Sequence, residues 1–431
     1  MPEVGSRVAP PSVRTRASRA LALAVAVVLP AACSTVAPGE APAAGAREEL
    51  ARNVILLLGD GLGQPQREFL HMAIAGPSGQ LAMDRLDVTG SVDTTPAASD
   101  QVTDSAAAAT AFATGVRTTN GAVGVDVDGE PLTTALELAR DAGKATGLVT
   151  TSQVTDASPA AFAAHVTDRD LQSEIAEQYL EDARVDVILG GGQDHWLPEG
   201  EQSGSEDEDD EDEDEAAPDD ADGRSHGDLI ARATRLGYTH VSDAAGLAAA
   251  DSEKLLGLFA AQEMFEKGDD GEGRYAPAVP LPDMTRAALG ALDRREAGFF
   301  LLVEEEGIDE MAHQNNAAQM LEAGRALEGA VEVALQFQAA NPDTLIVVAG
   351  DHETGGMEVT DTAAGAPPAG EDGPFPVTDS DRQLWVDWST ADHTGAPTPI
   401  TAGGPGAEAF EGDIQNTGVF TGVMESMSLA N

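Results

Sequence analysis

The chain has 431 residues, and 75 acidic residues against 24 lysines and arginines give it a formal net charge of −51. Because nucleic-acid binding requires a basic surface, this charge excludes a conventional nucleic-acid-binding protein. Hydrophobic residues make up 42% of the chain, which supplies a large buried core, and one cysteine excludes an intramolecular disulfide or a cysteine-based zinc site.

The N-terminal segment is predicted to be an export signal followed by a tether. Arginines precede an apolar run from Ala20 to Leu29, which is roughly half the length of a membrane-spanning helix, so residues 1–32 are typical of a secretory signal peptide. Small residues before Cys33 resemble the lipobox of bacterial lipoproteins, although Pro30 departs from that motif; the alternative is an ordinary signal peptide and an incidental cysteine. Residues 33–49 are predicted to be a flexible tether. We therefore expect export to the cell surface or periplasm, with a lipid anchor at Cys33 as the only membrane attachment.

Apolar runs that alternate with helical segments predict the fold. Each run is of the kind that a buried parallel strand needs, and the intervening segments at 132–142, 226–236 and 315–340 read as helices. This alternation predicts an α/β fold with a central, mostly parallel sheet flanked by helices. The apolar runs are 53–59, 144–151, 185–189, 299–303 and 344–349.

A run of acids interrupts this pattern. Residues 206–215 are ten consecutive acids, and their mutual repulsion prevents packing as a helix or strand. The region from about 199 to 225 is therefore predicted to be a disordered surface insertion. Calcium binding is the alternative, although no Asp-x-Asp-x-Asp-Gly spacing accompanies the run.

Polar residues follow the apolar runs at the place where such sheets bind ligands, beyond the carboxyl ends of the strands. Asp60 follows the first run, Glu304 the fourth, and Asp351 and His352 the fifth. The adjacent side chains of Asp351 and His352 are expected to point apart, so they would serve one ion from a loop or bridge two. Turn formation by the acids is the alternative.

A second set of candidate metal ligands lies further along the chain. Asp309 and His313 are four residues apart, so they share one face of a helix and can bind one metal ion. His393, in the turn-like sequence Asp-His-Thr-Gly, offers another imidazole. Each residue alone fits a surface or capping role, but their occurrence together with the strand-end residues favours a metal site.

The segment from Val102 to Gly115 predicts an N-capped helix with Ser105 in its first turn and Gly115 at its C-terminal end. The N-terminus of a helix favours an anion and lowers the cost of a serine alkoxide, although simple capping explains the same residues. No Ser-His-Asp spacing or G-x-S-x-G motif is present, so an activated Ser105 would require a metal. Arg169 is a candidate to hold a phosphate through two parallel hydrogen bonds, with a plain salt bridge as the alternative.

Seven blocks resemble the alkaline phosphatase family in order and spacing, over about residues 50–425. This resemblance implies a catalytic domain with a central, mostly parallel sheet that hydrolyses phosphate monoesters, and a chain that forms homodimers. The blocks are NVILLLGDGLG, VTDSAAAATAFATG, VTTSQVTDASPAAFAAHVTDRD, VDVILGGG, FFLLVEEEGIDEMAH, VVAGDHETGG and DHTGAP.

The resemblance also implies residue roles. Ser105 would be the nucleophile that forms a phosphoserine, and Arg169 would bind the phosphate, in a site that holds two zinc ions and one magnesium ion. The implied ligands are Asp309, His313 and His393 for the first zinc, Asp60, Asp351 and His352 for the second, and Asp60, Ser158 and Glu304 for magnesium, with Asp156 acting through water.

Departures from the family pattern leave alternatives open. Glu310 stands where relatives often have Lys or His, so weaker phosphate binding is expected. Ser158 replaces the Thr of some relatives, and Asp156 is expected to favour magnesium over a third zinc. The alternatives are a metal-dependent phosphodiesterase of the same superfamily and a non-catalytic surface lipoprotein that binds cations or phosphate. A sulfatase is disfavoured because no C/S-x-P-x-R sequence is present.

Overall fold

A ten-stranded sheet forms the centre of this computed structural model, which describes residues 50–198, 226–268 and 273–429. The predicted signal peptide, tether and acidic insertion all lie outside the described residues. The strands of the described part are, in chain order, β1 (Asn53–Gly59), β2 (Val88–Asp93), β3 (Ala145–Gln153), β4 (Val187–Gly191), β5 (Thr239–Val241), β6 (Leu255–Leu258), β7 (Phe299–Glu305), β8 (Thr344–Gly350), β9 (Glu353–Thr354), β10 (Glu358–Ala363), β11 (Asp372–Pro376), β12 (Arg382–Asp387), β13 (His393–Thr394), β14 (Thr398–Gly403) and β15 (Gly412–Gln415).

The large sheet is mostly parallel, as the sequence predicts. Its strand order is β15-β2-β14-β8-β1-β7-β3-β4-β6-β5. From β8 to β5 every neighbouring pair is parallel, whereas β14 runs antiparallel to both β8 and β2. The predicted α/β fold is therefore confirmed. The apolar runs in the sequence did not predict β14, β2 and β15 at one edge of the large sheet, the short strands β5 and β6 at the other edge, or the strands of the two small sheets.

Helices cover both faces of the large sheet. Alternate residues of β1 point to opposite sides, so that Leu56 packs into one apolar core and Ile55 into the other. The first core includes α2 to α6 and α11, and the second includes α1 and α7 to α10. The helices are α1 (Gln64–Leu70), α2 (Ser105–Thr114), α3 (Ala135–Asp141), α4 (Ala157–Ala163), α5 (Gln172–Gln178), α6 (Leu229–Arg235), α7 (Ala244–Ala249), α8 (Leu281–Leu292), α9 (Gly307–His313), α10 (Ala317–Ala340) and α11 (Asn416–Ser426).

Strand ends differ from the predicted bounds at the positions that matter for the site. The apolar run predicts Glu304 just past its strand, but Glu304 lies within β7, where it pairs in register with Leu58 of β1 and Thr150 of β3. Because pairing on both sides holds the backbone of β7, the strand continues through an acidic residue that the hydrophobic pattern excluded. Strand β3 also extends beyond its predicted end, to Gln153, which pairs with Gly191 of β4.

Two small sheets complete the described part of the chain. One has the order β10-β12-β11, and the other pairs β13 with β9. The second sheet matters for the site because it sets His393 opposite Thr354, just after β8. Across the described residues, no helix combines the length and the apolar character needed to cross a membrane.

Candidate active site

The predicted strand-end residues meet at one edge of the large sheet. Strands β8, β1 and β7 are neighbours, and the register sets Gly59 beside both Gly350 and Glu305. Asp60 and Asp351, which directly follow these paired positions, are therefore brought side by side. The parallel sheet thus gathers residues that are far apart in sequence, as its topology requires.

Asp60, Asp351 and His352 form a fully buried group. His352 Nε2 lies 3.3 Å from an Asp60 oxygen and 3.1 Å from Asp351 Oδ2. The expectation that Asp351 and His352 point apart is wrong, because Asp351 Oδ1 accepts hydrogen bonds from the backbone N–H groups of Gly61 and His352. These bonds curl the chain after β8, so both side chains can serve one ion.

Burial dominates the electrostatics of this group. It raises the pKa of Asp60 and of Asp351 well above the ordinary value, and the charge of Asp351 adds to the effect on Asp60. Burial and the nearby His393 hold the pKa of His352 well below its ordinary value. A neutral imidazole next to two carboxylates that are costly to ionise is a ligand set that a divalent cation stabilises.

Asp309, His313 and His393 form the second group. Helix α9 places Asp309 Oδ2 3.1 Å from His313 Nε2, as the spacing of four residues predicts. The Nε2 atoms of His313 and His393 are 3.0 Å apart. Burial lowers the pKa of His313, but Asp309 outweighs it and raises that pKa to about 9.

Backbone carbonyls orient both imidazoles of this group. His313 Nδ1 donates to the carbonyl of Ala391 over 2.5 Å, and His393 Nδ1 donates to that of Thr103 over 3.0 Å. Each Nδ1 is thereby engaged, which leaves each Nε2 to bind a metal. Histidine ligands in metal sites are normally held in this way.

A third group contains a residue that the sequence patterns did not reveal. Ligand atoms of Asp60, Glu304 and Glu306 lie within 4.8 Å of one another. The predicted residue Ser158 is buried beside Glu304, and burial raises the pKa of Glu304 to about 7. Glu306 belongs to a run of three glutamates, and nothing in the sequence separated it from an ordinary charged turn.

Ser105 lies in the first turn of α2, as the sequence predicts, and is the first residue of that helix. Asp104 caps the helix by accepting a hydrogen bond from the N–H of Ala107 over 2.9 Å, and Gly115 ends it in the left-handed conformation. The Ser105 hydroxyl is 3.1 Å from His352 Nε2. The candidate nucleophile therefore touches the Asp60 group and shares the electrostatic field of the helix N-terminus.

Arg169 lies beside the start of α2. Its guanidinium is 2.6 Å from Asp156 Oδ1 and 3.8 Å from Asp104 Oδ2. Asp156 also accepts hydrogen bonds from Ser152 Oγ and the N–H of Ala157. The salt bridge that was the alternative for Arg169 is thus present, and it holds the guanidinium next to the helix that carries Ser105.

Glu310 is neutralised by a lysine from another segment. Lys267 Nζ lies 2.8 Å from Glu310 and 3.0 Å from Glu263. Burial lowers the pKa of Lys267, but these two carboxylates outweigh burial and raise that pKa above its ordinary value. The expectation that Glu310 weakens phosphate binding stays a prediction, and Lys267 reduces the negative charge on which it depends.

Buried carboxylate oxygens that accept no hydrogen bond indicate whether this site fits metal ions. Within the described residues, both oxygens of Asp60, Oδ2 of Asp351 and Oε1 of Glu304 are buried and accept no hydrogen bond. Unpaired buried carboxylate oxygens are rare because each costs free energy. The imidazoles and carboxylates gathered here supply the nitrogen and oxygen ligands that divalent cations bind, so the residues fit metal binding.

Comparison with known proteins decides the family. Residues 51–377 match the alkaline phosphatase family. The chain belongs to the alkaline phosphatase family. Alkaline phosphatases are metal-dependent, in agreement with the three ligand groups described above.

Individual alkaline phosphatases and a related phosphatase resemble the chain over nearly their whole length. A streptomycin-6-phosphate phosphatase of Streptomyces griseus is 36% identical over 95% of this chain and 96% of its own. An alkaline phosphatase of Escherichia coli is 33% identical over 88% of this chain and 86% of its own. The structure of Thermus thermophilus alkaline phosphatase matches with a TM-score of 0.72 and 25% identity, over 92% of this chain and 96% of that one.

Proposed function

We propose that the chain hydrolyses phosphate monoesters to an alcohol and inorganic phosphate through a covalent phosphoserine at Ser105. The observation that carries this proposal is the 3.1 Å contact between the Ser105 hydroxyl and His352, at the N-terminus of a helix and beside buried ligand groups. The Escherichia coli relative, an alkaline phosphatase by name, supports the same reaction class.

Two zinc ions and one magnesium ion are the proposed cofactors. When bound, such ions lower the pKa of a hydroxyl and stabilise negative charge on attacking and leaving oxygens. Nitrogen in the first two groups suits zinc, and the oxygen ligands of the third suit magnesium. The proposed ligands are Asp309, His313 and His393; Asp60, Asp351 and His352; and Asp60, Ser158 and Glu304, with Asp156 acting through water.

The protein residues then carry the phosphoryl transfer. The Ser105 hydroxyl loses its proton to solvent, and its Oγ forms a bond to phosphorus as the bond to the leaving alcohol oxygen breaks. The leaving alkoxide takes a proton from solvent and departs as the alcohol. The N-terminus of α2 favours the anion throughout. Arg169, held by Asp156 and Asp104, donates hydrogen bonds to the equatorial phosphate oxygens. Water then attacks the phosphoserine, which releases phosphate and restores the Ser105 hydroxyl.

Streptomycin 6-phosphate is the second candidate substrate. The most specific support is the 36% identity to the streptomycin-6-phosphate phosphatase over 95% of this chain. We therefore include streptomycin 6-phosphate among the monoesters to be tested.

Hydrolysis assays test the reaction class. A chromogenic phosphate monoester and its matching diester are supplied at alkaline pH with zinc and magnesium, to the native protein, to Ser105→Ala, and to Ser252→Ala as a serine control away from the site. The proposal predicts monoester turnover that only Ser105→Ala abolishes. Preference for the diester would favour a phosphodiesterase. Cation or phosphate binding without any turnover would favour the non-catalytic lipoprotein.

Export, a lipid anchor at Cys33 and homodimer formation are further proposals. They are supported by the signal-like sequence before Cys33 and by the family resemblance. Mass analysis of the mature N-terminus distinguishes an acylated Cys33 from cleavage at another residue. Light scattering of the purified protein measures whether it is a dimer.

A further inference from the structure

We propose that Glu306 is a direct ligand of the cation in the third group, so that three carboxylates hold this ion and select a hard, oxygen-binding divalent cation such as Mg²⁺ over Zn²⁺. The inference rests on the proposed function for the presence of a cation beside Asp60 and Glu304. It adds a third carboxylate, which the resemblance to the alkaline phosphatase family did not supply.

The geometry of the third group differs from that of the other two. Ligand atoms of Asp60, Glu304 and Glu306 lie within 4.8 Å of one another and all are oxygens, whereas the other groups contain imidazole nitrogen. Zinc in proteins is commonly bound by nitrogen or sulfur, while magnesium prefers carboxylate and water oxygens. The donor set therefore favours a hard cation.

Two members of the group are buried with unpaired oxygens. Both oxygens of Asp60 and Oε1 of Glu304 accept no hydrogen bond from a described residue, and both side chains are 0% exposed. The other oxygen of Glu304 accepts a hydrogen bond from Thr150 over 2.6 Å. One oxygen of Glu304 is thus anchored, and the other is left for an ion.

The basic side chains near Glu306 form ion pairs with other acids. Arg169 makes its close ion pairs with Asp156 and Asp104, and Lys267 pairs with Glu310 and Glu263. The charge of Glu306 also acts on Arg169, but the ion pairs of both side chains within the described residues are with other acids. A bound divalent cation is the group that neutralises Glu306 together with its two neighbours.

Glu306 is surrounded by further carboxylates. Asp156, Glu304, Glu310 and Asp309 are the acids that act on its charge most strongly. Asp156 is already bonded to Arg169, Ser152 and the N–H of Ala157. Glu306 is therefore better placed than Asp156 to contact the ion directly, while Asp156 remains suited to the role through water.

The backbone fixes Glu306 between two predicted ligands. Glu306 lies between the end of β7 and the start of α9, and its N–H donates to Thr151 Oγ over 3.0 Å. Glu304 precedes it on β7 and Asp309 follows it on α9. This turn brings a third carboxylate to the edge of the sheet without any rearrangement of the strands.

Magnesium binding by matched variants tests the inference. The variants are Glu306→Gln, Glu306→Asp, Glu304→Gln and the control Glu305→Gln, which alters an adjacent buried carboxyl group. Glu305 is suited to this control because Thr151, Tyr275 and the N–H of Gly307 already occupy its carboxylate. Each protein is loaded with zinc, titrated with Mg²⁺ by calorimetry, analysed for metal content and melted with and without Mg²⁺.

We expect Glu306→Gln to weaken Mg²⁺ binding by at least about 10- to 100-fold, the range seen when residues that only support metal ligands are replaced. Its zinc content should stay at the native value. Glu306→Asp should lie between native and Glu306→Gln, because it keeps a carboxylate on a shorter side chain. Glu305→Gln should bind Mg²⁺ like the native protein, and the Mg²⁺-induced rise in melting temperature should follow the same order.

Different results would overturn the role of Glu306 and the third cation site that the proposed function requires. Native-like Mg²⁺ binding in Glu306→Gln, combined with loss in Glu304→Gln, would overturn only the role of Glu306. An equal loss in Glu305→Gln would also overturn it, because the effect would then follow the loss of any buried carboxyl group and not ligation. Absence of Mg²⁺ binding in the native protein, or native-like binding in Glu304→Gln, would overturn the third cation site itself.

Discussion

The hydroxyl of Ser105 lies 3.1 Å from Nε2 of His352, although 247 residues separate them in the chain. Ser105 begins α2, and His352 follows β8. The same nitrogen also faces Asp60 and Asp351. This one imidazole therefore connects the candidate nucleophile with a buried ligand group, so substitutions at the two positions should have different consequences.

Replacing His352 should remove a metal ion as well as activity. We expect His352→Gln to lower the zinc content of the purified protein by about one ion and to reduce monoester turnover by at least about 100-fold, because metal and nucleophile share this residue. His71→Gln is the control, since His71 bonds to Asp84 instead. A His352→Gln protein with the native zinc content would contradict the ligand assignment.

Arg169 should control the affinity for phosphate. Arg169→Ala removes the guanidinium N–H donors. This substitution should weaken product inhibition by phosphate and lower kcat/KM, each by on the order of 100-fold. Arg169→Lys should recover only part of both, because an ammonium group cannot form two parallel hydrogen bonds. Arg294→Ala serves as the control, since Arg294 pairs with Asp251. Equal inhibition constants in native and Arg169→Ala proteins would refute the phosphate-binding role.

Asp104 combines a structural and a positioning role that two substitutions can separate. It caps α2 through the N–H of Ala107, accepts from the N–H of Gly121 over 2.7 Å, and faces Arg169. Asp104→Ala should lower the free energy of unfolding by about 1 kcal/mol or more through loss of the cap. Asp104→Asn keeps an acceptor for the N–H of Ala107 but not a second one for that of Gly121. It should therefore recover only part of that stability and should raise the inhibition constant for phosphate, as measured by denaturation and inhibition assays.

The same two variants also define the result that would contradict a positioning role for Asp104. If Asp104→Asn destabilises the protein as much as Asp104→Ala and leaves phosphate inhibition unchanged, the charge of Asp104 does not position Arg169.

The sequence predicted the parts of the site that local patterns determine. Apolar runs located the ends of β1 and β8, which Asp60 and Asp351 directly follow, and capping residues placed Ser105 in the first turn of α2. The spacing of four residues likewise predicted the contact between Asp309 and His313. These features depend on periodicity and capping over a few residues, which the sequence contains.

Features that depend on tertiary contacts were beyond such patterns. His393 reaches His313 through a two-residue strand pair, which is too short to give a hydrophobic period. Glu306 could not be separated from Glu304 and Glu305, because only the turn between β7 and α9 decides which of these carboxylates enters the third ligand group. Tertiary contacts likewise decide which of the many acids pairs with a given arginine or lysine.

A buried glutamate outside the site should make stability depend on pH. Burial raises the pKa of Glu328 to about 7 from its usual 4.5, against the effect of the N–H groups of Ala82 and Met83, which donate to it. The folded state then binds a proton more tightly than the unfolded state, so the stabilising effect is present below about pH 4.5 and is lost as pH rises to about 7.

The size of this effect is on the order of 3 kcal/mol, at about 1.4 kcal/mol per pKa unit. Replacement by Glu328→Gln should flatten the decline in unfolding free energy across that pH range, while the native protein shows it. Denaturant titrations at several pH values measure the slope, which is independent of any constant cost of the substitution. Identical slopes for the two proteins would contradict the raised pKa.

Trapping the covalent intermediate is the decisive experiment for a phosphoserine mechanism. The metal-loaded native protein and Ser105→Ala are mixed with a phosphate monoester, quenched in acid, digested and analysed by mass spectrometry. We predict that the native peptide containing Ser105 gains the mass of one phosphoryl group, located on Ser105 by fragmentation, while the corresponding peptide of Ser105→Ala gains none. Monoester turnover without phosphorylation of this peptide, or phosphorylation at another residue, would contradict Ser105 as the nucleophile.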